Sequence, residues 1–160
     1  MKKIKWKYLI ISLAIPLGVG ALSALLTIGN TKEVYSSITK PFLAPPSWVF
    51  SVIWTSLFIL MGISSYLVYT SRTCSQKKRL ALKFYLIQLI FVFFWPIIFF
   101  NYELFLLAFV WLLIIIIFIV ALMIKEFFRI NKVSALIQLP YVLWLIFAGY
   151  LNLAIFILNL

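Results

Sequence analysis

Three tryptophans and two carboxamides sit inside otherwise aliphatic and aromatic runs: Trp54, Trp95 and Trp144, with Gln88 and Asn152. Indole and phenol rings stack on flat aromatic molecules and keep one polar hydrogen for a partner. A carboxamide in apolar surroundings costs free energy unless a neighbouring helix or a ligand pairs with it. Helical spacing groups these residues. Trp54, Phe58, Met61 and Ser65 recur at i, i+4, i+7 and i+11, with Gly62 beside them. Tyr85, Gln88, Val92, Trp95 and Phe99 share a second face, and Tyr141, Trp144, Ala148 and Leu151 a third, which Asn152 adjoins. Ordinary packing or an interfacial aromatic belt accounts for any single ring, Trp6 and Trp48 included. Together, Trp54, Trp95 and Trp144 lie close to one end of their segments and suggest the wall of a ligand site.

The missing residues restrict the chemistry further. There is no histidine and no aspartate, with three glutamates and one cysteine. A Ser-His-Asp set cannot be assembled, the usual imidazole and carboxylate metal ligands are lacking, and Cys74 has no disulfide partner. Glu33, Glu103 and Glu126 fall at segment ends or in loops, which argues against an ion-coupled transporter with a mid-membrane carboxylate. Glycine-rich phosphate loops are absent too.

The elements that must position the aromatic faces follow from composition. The chain has 160 residues, 66% hydrophobic and 19% aromatic. A spanning helix needs about 20 apolar residues. Five such runs are present, at roughly 8–28, 47–70, 80–100, 104–124 and 133–158, so the expected fold is an all-α integral membrane protein, a five-helix bundle in a single domain over 1–160. The first run is too long for a removable signal peptide and no small-residue cleavage site follows it. Laid alternately across a bilayer, the helices put Lys2, Lys3, Lys5, Lys7, Arg72, Lys77, Lys78, Arg79, Lys83, Lys125, Arg129 and Lys132 on one side. Only Lys32 and Lys40 fall on the other. This asymmetry predicts a cytoplasmic N-terminus and an outer C-terminus. It also assigns the net charge of +11 to topology and to membrane lipid rather than to nucleic acid. The lack of a presequence and the Lys, Ile and Phe bias suit a bacterial plasma membrane.

The stretch KPFLAPPSWVFSVIW, from Lys40 to Trp54, explains how the site would be covered. Pro41, Pro45 and Pro46 fix φ and restrict the residues before them, so 42–46 is expected to be a stiff extended arm. Pro46 and Ser47 can then open the second helix. The loop 29–46 exceeds the few residues that two antiparallel helices need, which suggests a lid presenting Tyr35, Phe42 and Leu43, with Lys32 or Lys40 as cations.

KPFLAPPSWVFSVIW continued by LMGISSYLV, YLIQL with WPIIFF, and LPYVLWLIFAGYLN resemble, in order, motifs of the second, third and fifth helices of the translocator protein family, also called the tryptophan-rich sensory protein (TspO/MBR) or peripheral benzodiazepine receptor family. The resemblance covers essentially the whole chain. It implies a compact five-helix bundle, often a homodimer, with a pocket opening toward the long first loop and binding porphyrins or, in various members, sterols or benzodiazepine-type ligands. Carried across residue by residue, it gives a ligand site of Tyr35, Pro45, Pro46, Trp54, Gln88, Trp95, Tyr141, Trp144, Phe147, Ala148 and Asn152. Val34 and Leu43 stand where the family often has tryptophan. Val92 stands where it commonly has asparagine, which removes an amide from the pocket wall.

A tetrapyrrole such as protoporphyrin IX suits such a wall, stacking its disc on aromatic rings while cations meet its carboxylates. Without histidine a metal-free porphyrin is favoured over haem, and no resident cofactor is required. Leu67, Tyr69 and Arg72 satisfy a loose sterol pattern that reads as interfacial anchoring. The functions expected are a receptor or carrier of a porphyrin-type or other hydrophobic small molecule; light- or oxygen-dependent degradation of that ligand, with Trp54 and Trp144 as the catalytic candidates for electron transfer; or a regulatory or structural membrane partner without ligand chemistry.

Overall fold

The structure is a computed structural model that describes residues 4–160, apart from the side chain of Phe118. Lys2 and Lys3 of the basic tail lie outside the described residues. Among the described residues, five helices are long and apolar enough to cross a membrane: α1 Trp6–Ser37, α2 Ser47–Tyr69, α3 Ser75–Asn101, α4 Phe105–Ile130 and α5 Lys132–Leu158. The expected all-α class and the number of long apolar helices are borne out.

Hydrogen bonds between helices fix their alternation. The Lys5 N–H donates to the Tyr66 hydroxyl (3.0 Å), so the start of α1 lies beside the end of α2. Ser64 Oγ donates to the Ser134 carbonyl (2.7 Å), joining the end of α2 to the start of α5. At the opposite end, Asn101 Nδ2 donates to the Leu26 carbonyl (3.0 Å) and Asn152 Nδ2 to the Phe105 carbonyl (2.8 Å). The described cations therefore gather at the end where α1 begins, with Lys32 and Lys40 alone at the other.

Met61, Ala81, Phe127, Tyr141 and Leu145 are fully enclosed between the helices. Ile10, Leu22, Ile28, Leu143 and Ile146 are each more than half exposed on the outside. Such a surface suits hydrocarbon, where helices associate through close packing and polar contacts rather than by expelling water. Gly62 shows how close that packing is. A Cβ there would stand 2.8 Å from both the Leu13 Cα and the Ser12 carbonyl oxygen, so α1 and α2 approach backbone to backbone at this level.

The main difference from expectation is the length of α1, which continues through residues 29–37 of the expected loop. No proline interrupts this segment. Thr27 and Thr31 return their hydroxyls to carbonyls four residues earlier (3.0 and 2.7 Å). Asn30 donates to Asn101 (3.2 Å), and Val34 and Ile38 are buried. The connection to α2 shrinks to the arm 38–46, which is not extended throughout: the Ala44 N–H closes a turn onto the Pro41 carbonyl (3.0 Å). Pro46 is extended, at φ −56° and ψ 149°, and α2 follows at Ser47 as expected.

Pro96 shapes the end of α3. Its ring cannot donate to the helix ladder, and the following turn, Ile97–Asn101, widens to π-helical geometry. Glu103 then reverses the chain with φ 52°. Asn131 opens α5, its side-chain oxygen accepting from the N–H groups of Val133 (2.9 Å) and Ser134 (3.3 Å).

Candidate functional site

At the end away from the cations, the short arm closes over a line of aromatic rings. The Tyr35 hydroxyl, near the end of α1, donates to the Pro45 carbonyl and fastens the arm from one side. Asn159 fastens it from the other, accepting from the Thr39 N–H (2.9 Å) and donating to the Thr39 carbonyl (3.0 Å). Lys40 Nζ donates to the Tyr35 carbonyl (2.6 Å) and stands 4.8 Å from the centre of the Tyr35 ring.

Beneath this clasp the rings meet edge to face. Tyr35 and Phe50 are 5.8 Å apart between centroids, and Phe50 and Trp144 5.7 Å. Trp144 lies 5.5 Å from Phe147. The Trp144 indole N–H is buried and has no hydrogen-bond acceptor, a donor unpaired in the closed arrangement.

Next to these rings is a small cavity of about 20 Å³. Tyr35, Ala44 and Phe50 line it on the arm side, and Trp95, Phe99, Ala148, Leu151, Asn152 and Ile155 on the bundle side. It has room for about one water molecule. The intramembrane asparagine finds its partners within the protein: Asn152 Oδ1 accepts from Trp95 Nε1 (3.1 Å), while its Nδ2 donates to the Phe105 carbonyl.

A second layer lies deeper. Gln88 Oε1 accepts from the Tyr141 hydroxyl (2.7 Å) and Gln88 Nε2 donates to the Met61 sulfur (3.7 Å). Both Gln88 and Tyr141 are fully buried. Trp54 packs against Phe58 (5.6 Å) and Tyr141 (6.4 Å).

The residues expected from the sequence thus divide between three places. Tyr35, Trp95, Ala148 and Asn152 line the cavity. Pro45, Trp144 and Phe147 belong to the clasp and the ring line above it, and Pro46 marks the start of α2. Trp54, Gln88 and Tyr141 form the deeper layer, outside the cavity wall. Val92 is buried in the core. Phe50, which joins Tyr35 to Trp144, was missed by the sequence reading, as were Ala44 and Ile155. Phe50 lies one helical turn before Trp54, and that i−4 spacing was the available signal. Among the described residues, no three His, Cys, Asp or Glu side chains cluster to hold a metal.

A protein-family model described as the TspO/MBR family matches residues 12–158. Among curated proteins, the chain is 32% identical to the tryptophan-rich protein TspO of Archaeoglobus fulgidus over 94% of this chain and 96% of that one. It is 33% identical to the tryptophan-rich protein TspO of Chlorobaculum tepidum, over 89% and 90% respectively. It is 32% identical to the translocator protein of Bos taurus, over 83% and 79%.

Proposed function

Because the chain belongs to the TspO/MBR family and is an integral membrane protein with five long apolar helices, we propose that it is a membrane receptor or carrier whose ligand enters beneath the 38–46 arm. The ligand class is a tetrapyrrole or a similarly flat hydrophobic molecule with anionic edges. The observation that carries this reading is the line of rings from Tyr35 through Phe50 to Trp144 beneath a clasp that bears Lys40. Aromatic faces would stack on the ligand disc, and Lys40 with Lys32 would meet its carboxylates.

The closed cavity sets a condition on binding. At about 20 Å³ it falls far below the roughly 300–1,000 Å³ of sites that enclose such ligands. The arm must therefore leave the bundle, giving up the Tyr35–Pro45 and Thr39–Asn159 hydrogen bonds, before a tetrapyrrole can enter.

In the same reading the cation-rich end faces the cytoplasm of a bacterial plasma membrane, and the arm faces outward. A second copy of the chain is a further partner. Ala14 and Gly18 support close approach on the outer side of α1, since no other helix comes within 4 Å of the position a Gly18 Cβ would take.

The test is titration of the detergent-purified protein with protoporphyrin IX, following tryptophan quenching. We expect saturable quenching that weakens at least about fivefold in Ala148→Leu, since the added carbons overfill the cavity floor. Absence of saturation, or a variant that binds as tightly as the parent, would overturn the proposal.

A further inference from the structure

At the end opposite the arm, α1, the end of α2 and the start of α3 enclose an open groove of about 770 Å³. We propose that this groove seats one anionic phospholipid, its phosphate at the basic mouth and one acyl chain along α3.

The lining changes character along its length. Lys5, Lys78, Arg79 and Lys83 gather at the mouth, and no lining residue is acidic. Lys78 Nζ is held near the Tyr69 and Ser71 carbonyls, at 3.3 and 3.4 Å, which fixes its charge at the rim while one of its three hydrogens stays free. α3 begins at Ser75 without a side-chain cap, and Ser75 lines the same mouth.

Below the rim the wall becomes apolar. Lys78, Leu82, Leu86 and Ile90 follow one another at four-residue spacing, and Arg79, Lys83 and Ile87 form the adjacent row. Each row starts with a cation and ends in hydrocarbon. From Lys78 to Ile90 the helix rises about 18 Å, comparable to an extended acyl chain. Leu86 and Ile90 remain about half exposed, as a wall awaiting a tail would be. The Tyr8 and Tyr69 rings, 5.0 Å apart, stand at the junction of polar mouth and apolar wall, the depth that amphipathic aromatics favour. A free phosphate would use the mouth and leave this wall uncovered, so the whole groove matches a lipid.

Native mass spectrometry of the full detergent-purified chain tests the assignment, with phosphatidylglycerol, phosphatidylcholine and inorganic phosphate as probes. Each rim cation contributes roughly fivefold toward an anionic surface. We expect one phosphatidylglycerol to be retained, phosphatidylcholine to be lost, and millimolar phosphate to displace little lipid. The triple variant Lys78→Gln, Arg79→Gln, Lys83→Gln should weaken retention at least about tenfold. The control Lys125→Gln, Arg129→Gln, Lys132→Gln, which alters cations at the same end but outside the groove, should change it less than about threefold. Leu86→Asn with Ile90→Asn should weaken lipid retention with every cation in place. Equal losses in the two charge variants would reduce the effect to diffuse attraction and overturn the proposal. Equal retention of phosphatidylcholine, or efficient displacement by phosphate, would do the same.

Discussion

Asn152 uses both halves of its amide inside the protein, accepting from Trp95 and donating to the Phe105 carbonyl. Replacing it with leucine leaves an indole N–H and a carbonyl unpaired among apolar neighbours. Asn152→Leu should therefore lose about 1 kcal/mol of stability, read as a lower Tm in detergent. Two glycines should behave oppositely. Gly62→Ala places a methyl 2.8 Å from α1 backbone and should destabilise by about 1–3 kcal/mol, whereas Gly18→Ala meets no other helix of its own chain and should leave the Tm of the monomer nearly unchanged. Part of this was legible in the sequence: the spacing that put Trp95 on one helical face and Asn152 beside another describes faces that do meet. The pairing of Gln88 with Tyr141 was not, because periodicity assigns a residue to a face but says nothing of its depth relative to residues on other helices. The same ambiguity separates Trp54 from the cavity wall, leaving it packed on Phe58 and Tyr141.

Among the elements, α1 departs furthest from its sequence. Gly29 and Asn30 look like a helix stop. Yet Asn30 turns its side chain to Asn101, and Val34 and Ile38 bury against the bundle, so tertiary contacts outweigh the local signal. Propensity could not reveal this, because Asn101 lies 71 residues away. The extension brings Tyr35 under Pro45 and leaves an arm short enough to be fastened at both sides. Tyr35→Phe removes one fastening worth about 1 kcal/mol. The open arm should become about fivefold more populated, and protoporphyrin IX should associate faster by a similar factor in stopped-flow quenching. Hydrogen exchange across 38–46 should accelerate in parallel. A variant that associates no faster than the parent would show that the arm does not limit entry.

At the scale of the whole molecule, the described cations are separated by the alternation of the helices, with Lys32 and Lys40 alone beside the arm. Alternation could be read from five apolar runs, since each run reverses the next. Orientation can be measured with a probe the chain already carries. Cys74 is its single cysteine and is exposed at the cation-rich end. A membrane-impermeant maleimide should label it in inverted vesicles and leave it unmodified in intact cells; labelling in intact cells would reverse the proposed orientation.

The clasp between Thr39 and Asn159 also bears on how the molecule is made. Its partners are 120 residues apart, so α1, α2 and the arm are synthesised and inserted well before Asn159 exists. Until α5 joins the bundle, the arm has only its Tyr35–Pro45 fastening, and Trp144 and Phe147 have yet to extend the ring line that begins with Tyr35 and Phe50. Insertion of α5 therefore delivers the last rings of the line and the second fastening of their cover together.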